Sequence, residues 1–171
     1  MSAVGLPQRR ALQSASEGKA SGLSRQSRRK RGGTTMTRET FRFPVRVYYE
    51  DTDAAGVVYY ANYLKFMERA RTEWLSSLGF DLAATEREHG IVFVVHRVEI
   101  EFRKPAQLSD RLDVTLSLVE LGRARLVADQ AVNRAAETLT QARVTLACLD
   151  PSTWRPARIP APVSARMEAL L

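Results

Sequence analysis

The sequence predicts an α+β fold: one five-stranded antiparallel sheet wrapped around a long central helix at about residues 62–78. Three observations predict it. A single helical pattern with a wide apolar face follows one strand-like run. Four further runs come after it, with period-two alternation. Short turns join those four runs. An antiparallel sheet covered on one face by a helix buries the apolar surface of both in two layers.

The first run is Phe41, Phe43, Val45, Val47 and Tyr49, alternating with Arg42, Pro44, Arg46 and Tyr48. Pro44 has no N–H to give to a ladder, which predicts an edge position or a strand start. In the helix, Tyr63, Phe66, Met67, Ala70, Trp74 and Leu78 follow 3/4 spacing. Lys65, Glu68, Arg69, Thr72, Glu73 and Ser76 fall largely elsewhere. Asn62 reads as the N-cap and Gly79 as the C-terminal stop. Residues 81–90 are polar and read as a short helix or a loop.

The second strand is predicted at 91–103, with Val92, Val94, Val98, Ile100 and Phe102 on one parity. The third, 111–121, carries Leu112, Val114, Leu116 and Leu118. Leu121-Gly122-Arg123 turns into the fourth, 123–133, and Asn133 to Glu137 turns into the fifth, 138–149. Pro151 to Pro162 is proline-punctuated and extended, and 163–171 reads as a C-terminal tail ending in a helical turn. One sheet around one central helix is the hotdog architecture.

Charge divides the chain. Of 26 basic and 19 acidic residues, eight and one lie in 1–35, leaving 18 and 18 in the rest. The whole +7 therefore belongs to the tail, and the body gives no electrostatic reason to expect nucleic acid. Residues 1–35 are rich in Ser, Gly, Arg and Ala, with too few large apolar groups to offset chain entropy, which predicts a disordered basic tail. Three readings of it stand: an upstream start codon with the true start at Met36, a solvated arm, or an Arg/Ser-rich transit peptide. The hotdog domain is predicted over 36–162. Cys148 is the only cysteine, which fits a reducing compartment. No apolar run is long enough for a membrane helix.

The densest stretch is Val47 to Tyr63, where a strand pattern runs into Glu50, Asp51 and Asp53, then Gly56, then the helix start. A carboxylate beside a helix N-terminus joins a base or nucleophile to a set of backbone N–H donors, the pairing that acyl transfer needs. Glu50 and Asp51 read as neighbours of Asp53, Tyr59 and Tyr63 as pocket lining, and Glu68 and Glu73 as structural. His96 reads as a structural group or one at a strand twist, and His89 as exposed. Both histidines lie outside the motif.

From Val45 to Leu75 the chain closely resembles the Tol-Pal-associated acyl-CoA thioesterases, within the 4-hydroxybenzoyl-CoA thioesterase branch of hotdog proteins. The core of the likeness is Asp53-Ala54-Ala55-Gly56-Val57-Val58-Tyr59. It extends to Phe93-Val94-Val95, Arg103-Lys104-Pro105-Ala106 and Asp150-Pro151…Pro156…Pro160. The resemblance implies hydrolysis of an acyl-CoA thioester, with Asp53 as nucleophile or as general base on water. It implies an oxyanion hole of backbone N–H groups around Tyr60, Ala61 and Asn62. It implies a homodimer or homotetramer, no metal, no cofactor (CoA being part of the substrate), and a cytoplasmic protein, peripheral at the inner membrane at most. Many members carry histidine where this chain has Tyr60. That departure leaves a second reading, a hotdog scaffold that binds acyl-carrier protein or envelope-lipid machinery with weak hydrolysis. CoA phosphates call for basic groups, and Arg103, Lys104, Arg123, Arg125 and Arg143 are the residues available.

Overall fold

The computed structural model describes residues 39–171. The predicted tail, 1–35, lies outside them. Five strands form one antiparallel sheet: β1 (Phe41–Arg46), β2 (Val92–Phe102), β3 (Arg111–Leu121), β4 (Arg125–Arg134) and β5 (Glu137–Leu149), in the order β1-β3-β4-β5-β2. The long helix α1 (Asn62–Ser77) packs against β3, β1 and β4. A short helix, α2 (Leu82–His89), leads into β2, and α3 (Ala161–Glu168) follows the last strand.

The core lies between α1 and the sheet. Phe66, Met67, Ala70, Trp74 and Leu75 of α1 meet Leu112, Val114, Leu116, Leu126, Val132 and Val144 of the strands in one buried cluster. Gln130, buried in β4, donates to the Met67 carbonyl at 3.0 Å and accepts from the Arg71 guanidinium at 2.9 Å, so α1 is also pinned to the sheet by polar groups. Burial holds Arg71 below its ordinary pKa, against the opposing pull of Glu68.

Several sequence expectations change. β1 is an edge strand, as Pro44 predicts, but it stops at Arg46. Tyr49–Asp51 forms a 3₁₀ turn because the Asp51 carboxylate accepts the Tyr48 N–H at 2.8 Å and folds the chain over. Tyr49 is therefore 82% exposed instead of extending the buried face. In β2, a register shift between Val95 and Arg97 leaves His96 at a bulge. One extra residue swaps the faces that follow, so Phe93, not Val92 or Val94, shares the core side with Val98 and Ile100. His96 is exposed there, and His89 is half-buried against the Phe80 ring. The residues after 162 join the core, because α3 buries Val163 and Met167, four apart on one face. Before α3, Trp154 stands 67% exposed with φ 55° in a loop that Asp150 ties down through Ser152 and Thr153.

Candidate active site

Asp53 sits in a small hairpin of its own. Thr52 pairs antiparallel with Val58, Asp53 N–H donates to the Val57 carbonyl at 2.9 Å, and Gly56 N–H returns to the Asp53 carbonyl at 2.9 Å. A turn of this kind needs a left-handed residue before the second arm. Gly56, at φ 75°, supplies it. The Asp53 carboxylate is oriented by its own turn, with Oδ1 accepting Ala55 N–H at 2.8 Å. Oδ2 accepts no hydrogen bond among the described residues, and the side chain is exposed. Capping the turn and presenting an open oxygen are thus done by one carboxylate.

Asp51 has a different part. It is 6% exposed, and its carbonyl accepts both Tyr59 N–H and Asn62 Nδ2, each at 2.9 Å. Glu50 is exposed. The helix starts at Asn62 with Ala61 as N-cap, in helical geometry and without a side-chain cap. Asn62 is therefore not the N-cap that the sequence predicts. Its side-chain Nδ2 donates to a carbonyl eleven residues upstream, in a buried site.

Three backbone groups are expected as oxyanion donors. Asn62 N–H is engaged by the Tyr59 carbonyl at 2.8 Å. The N–H groups of Tyr60 and Ala61 make no hydrogen bond among the described residues. Beside them opens a cavity of about 250 Å³ lined by Val58, Tyr60, Tyr63, Phe102, Arg103, Lys104 and Pro105. Tyr60 and Tyr63 both lie near the Phe102 ring, at 6.3 and 5.7 Å between centroids. Tyr59 stacks at a tilt on Tyr60, 4.7 Å between centroids, and is not among the lining residues. Its phenol is held above its ordinary pKa by the Tyr60 hydroxyl, then by burial and the charge of Asp53. Tyr63 is buried, and burial raises its phenol too.

A second cavity, about 120 Å³, runs beside the middle of α1, between Glu68, Arg71, Thr72, Trp74 and Leu75 on one side and Phe93, Val95, Leu126 and Leu146 on the other. Glu68 and Glu73 are exposed, and Glu68 accepts from the Thr72 hydroxyl at 3.0 Å. Of the five basic groups considered for CoA phosphates, Arg103, Lys104, Arg125 and Arg143 are paired with Glu101, Glu137, Glu120 and Asp129. Arg123 makes no ion pair among the described residues. Sequence reasoning missed the anchoring roles of Asp51 and Asn62. The signal within reach was the Asp51 carboxylate three residues after Tyr48, a spacing at which aspartate bonds its own backbone.

A five-stranded sheet carried around one long helix, with a carboxylate hairpin at the helix N-terminus, defines a hotdog protein of thioesterase type. Residues 47–167 match the family model of the thioesterase-like superfamily, and the chain belongs to that family. It is 40% identical over 134 residues to the acyl-CoA thioester hydrolase YbgC of Escherichia coli O6:H1, covering 78% of this chain and 99% of the relative. It is 42% identical over 130 residues to the acyl-CoA thioesterase YbgC of Haemophilus influenzae, covering 76% and 96%. Among solved structures, a probable thioesterase from Bartonella henselae superposes with TM-score 0.68 at 36% identity, covering 71% of this chain and all of that one. Slr0204 of Synechocystis, a 1,4-dihydroxy-2-naphthoyl-CoA thioesterase, gives 0.71 at 29% identity, covering 77% and 98%.

Proposed function

We propose that this protein is an acyl-CoA thioesterase: acyl-CoA and water give a free acid and CoA. The observation that carries the proposal is the pairing of an oriented, half-open Asp53 carboxylate with the unengaged N–H groups of Tyr60 and Ala61 at the start of α1. The thioester carbonyl becomes an oxyanion in the tetrahedral transition state. Backbone N–H groups stabilise it, at roughly 10²–10³ in rate per donor, and the helix dipole adds about half a positive charge. Of the two residues, Tyr60 also lines the adjoining cavity. Asp53 either attacks the carbonyl carbon, forming an anhydride that water opens, or takes a proton from the water that attacks. In both routes the C–S bond breaks, CoA leaves as thiolate, and the thiolate is protonated from solvent. The reaction as proposed needs no metal and no cofactor.

The catalytic unit proposed is a homodimer, itself able to pair into a tetramer. Asp53 is exposed, and β2, eleven residues long, has one side unpaired at the sheet edge. Sedimentation would test it. The proposed setting is the cytoplasm, beside the Tol-Pal envelope system, on the strength of the sequence resemblance; co-purification with Tol-Pal components tests that link. The domain proposed to carry the activity begins near Met36, and an N-terminal truncation to that residue with full activity would support it.

The test is release of free thiol from a panel of acyl-CoAs. Wild type releases thiol from at least one, and Asp53→Asn lowers the rate by about 10²–10⁴-fold, to a residual rate still above the enzyme-free background; background from both removes the assignment. A second reading, a scaffold for acyl-carrier protein with weak hydrolysis, is favoured by Tyr60 in place of histidine, since a phenol shuttles protons poorly near neutral pH. Tight carrier-protein binding unaffected by Asp53→Asn would support it.

A further inference from the structure

We infer that Asn62 and Tyr63, consecutive residues in the first turn of α1, are positioning residues that fix the Asp53 carboxylate relative to the backbone N–H groups at Tyr60 and Ala61. The inference rests on the thioesterase reading above. Neither residue is given a chemical step. Each braces one arm of the hairpin that carries Asp53.

The first brace runs from Asn62 to the arm before Asp53. Asn62 is 6% exposed, and its Nδ2 donates to the Asp51 carbonyl at 2.9 Å. The same carbonyl accepts Tyr59 N–H at 2.9 Å, and the Tyr59 carbonyl accepts Asn62 N–H at 2.8 Å. Tyr60 and Ala61 are thus enclosed between Tyr59 and Asn62, which are both tied to one oxygen two residues before Asp53. The second brace runs from Tyr63 to the arm after Asp53. The Tyr63 hydroxyl accepts Ala106 N–H at 2.8 Å, in a buried site, and the Ala106 carbonyl accepts Val58 N–H at 2.9 Å. Val57 bridges to Gln107 beside it.

A hairpin held on one arm can swing about that attachment. Held on both arms from adjacent residues of one helical turn, it cannot rotate against the helix without breaking a buried hydrogen bond. That matters because a misplacement of about 1 Å in a reacting group costs on the order of 10²-fold in rate.

Asn62→Asp keeps the shape and removes the donor; Tyr63→Phe removes one hydroxyl. Thiol release by full-length protein, with the best acyl-CoA of the panel, is measured in wild-type and Asp53→Asn backgrounds. Amide hydrogen exchange of Val58, Tyr59 and Ala106 is followed in parallel. We expect kcat to fall about 10–100-fold for Asn62→Asp and about ten-fold for Tyr63→Phe, with KM within about three-fold. Neither change should add more than about two-fold once Asp53 is Asn, because effects acting through one group do not add. Exchange should quicken at Tyr59 in the first variant and at Ala106 in the second. Asn62→His, which keeps a donor, should recover part of the rate. Quicker exchange with unchanged kcat overturns the inference alone, as does an equal loss in the Asp53→Asn background. A wild type that releases no thiol overturns the thioesterase reading and this inference with it. Should Asn62→Asp fail to fold by circular dichroism, Tyr63→Phe decides.

Discussion

The two ends of α1 are finished in opposite ways. At the C-terminus, Gly79 N–H bonds the Ser76 carbonyl at 2.9 Å and Phe80 N–H the Leu75 carbonyl at 3.2 Å, with Gly79 left-handed at φ 90°. That is a complete Schellman closure. At the N-terminus no side chain caps the helix. Nearby α2 is finished at both ends: the Asp81 carboxylate accepts Ala84 N–H at 2.9 Å, and Gly90 closes the far end; α3, like α1, starts without a side-chain cap. On the longest helix among the described residues, this uncapped end is where the proposed function puts the thioester oxygen.

The contrast can be broken or sharpened by experiment. The largest effect expected is at the open end, where Asp53→Asn lowers thiol release by about 10²–10⁴-fold with the melting temperature little changed. Ala61→Pro is the sharper probe. Ala61 already has φ −70°, which proline shares, and its N–H makes no bond to lose. Activity within about ten-fold of wild type assigns the oxyanion to Tyr60 N–H; a loss near 10²–10³ moves it to Ala61. At the closed end the effects are on stability. Gly79→Ala forces a Cβ into left-handed geometry and should cost about 1–2 kcal/mol, read by denaturant melts, with kcat of the folded protein unchanged. Asp81→Ala removes the α2 cap and should cost about 1 kcal/mol.

The smallest effect is pH-dependent and belongs to neither helix end. Lys104 and Arg134 hold Glu137 below its ordinary pKa of about 4.5, so its folded-state proton is lost more readily than its unfolded one. Its contribution to stability is present above about pH 4.5 and fades as pH falls through the lower folded value. Glu137→Gln should therefore narrow the difference in melting temperature between pH 6 and pH 3, by a small amount because these groups are exposed to solvent.

The parts of the molecule legible in the sequence are those set by local periodicity. The 3/4 spacing from Tyr63 to Leu78 and the stop at Gly79 were enough to delimit α1, and Pro44 was enough to mark the edge. The β2 faces were not legible past His96, because a bulge is decided by how two strands meet and not by either one alone. The segment after Pro162 carries a signal of its own: Val163 and Met167 stand four apart, the spacing of one buried helical face. In the candidate site, the motif pointed to Asp53 and to the region of Tyr60. Which N–H groups stay unengaged depends on the bond from Asn62 to the Tyr59 carbonyl, and the side-chain bond of Asn62 reaches eleven residues back. Neither has a signature in spacing.

The chain carries two tryptophans in contrasting surroundings, and this makes it its own optical reporter. Trp74 is 5% exposed and forms part of the wall of the 120 Å³ cavity, whereas Trp154 stands in solvent on a braced loop. Blue-shifted emission from the first and red-shifted emission from the second would overlap in a bulk spectrum, but iodide would quench only the second. What remains after quenching is a fluorophore against the cavity, so its wavelength would follow whatever enters there with no label attached.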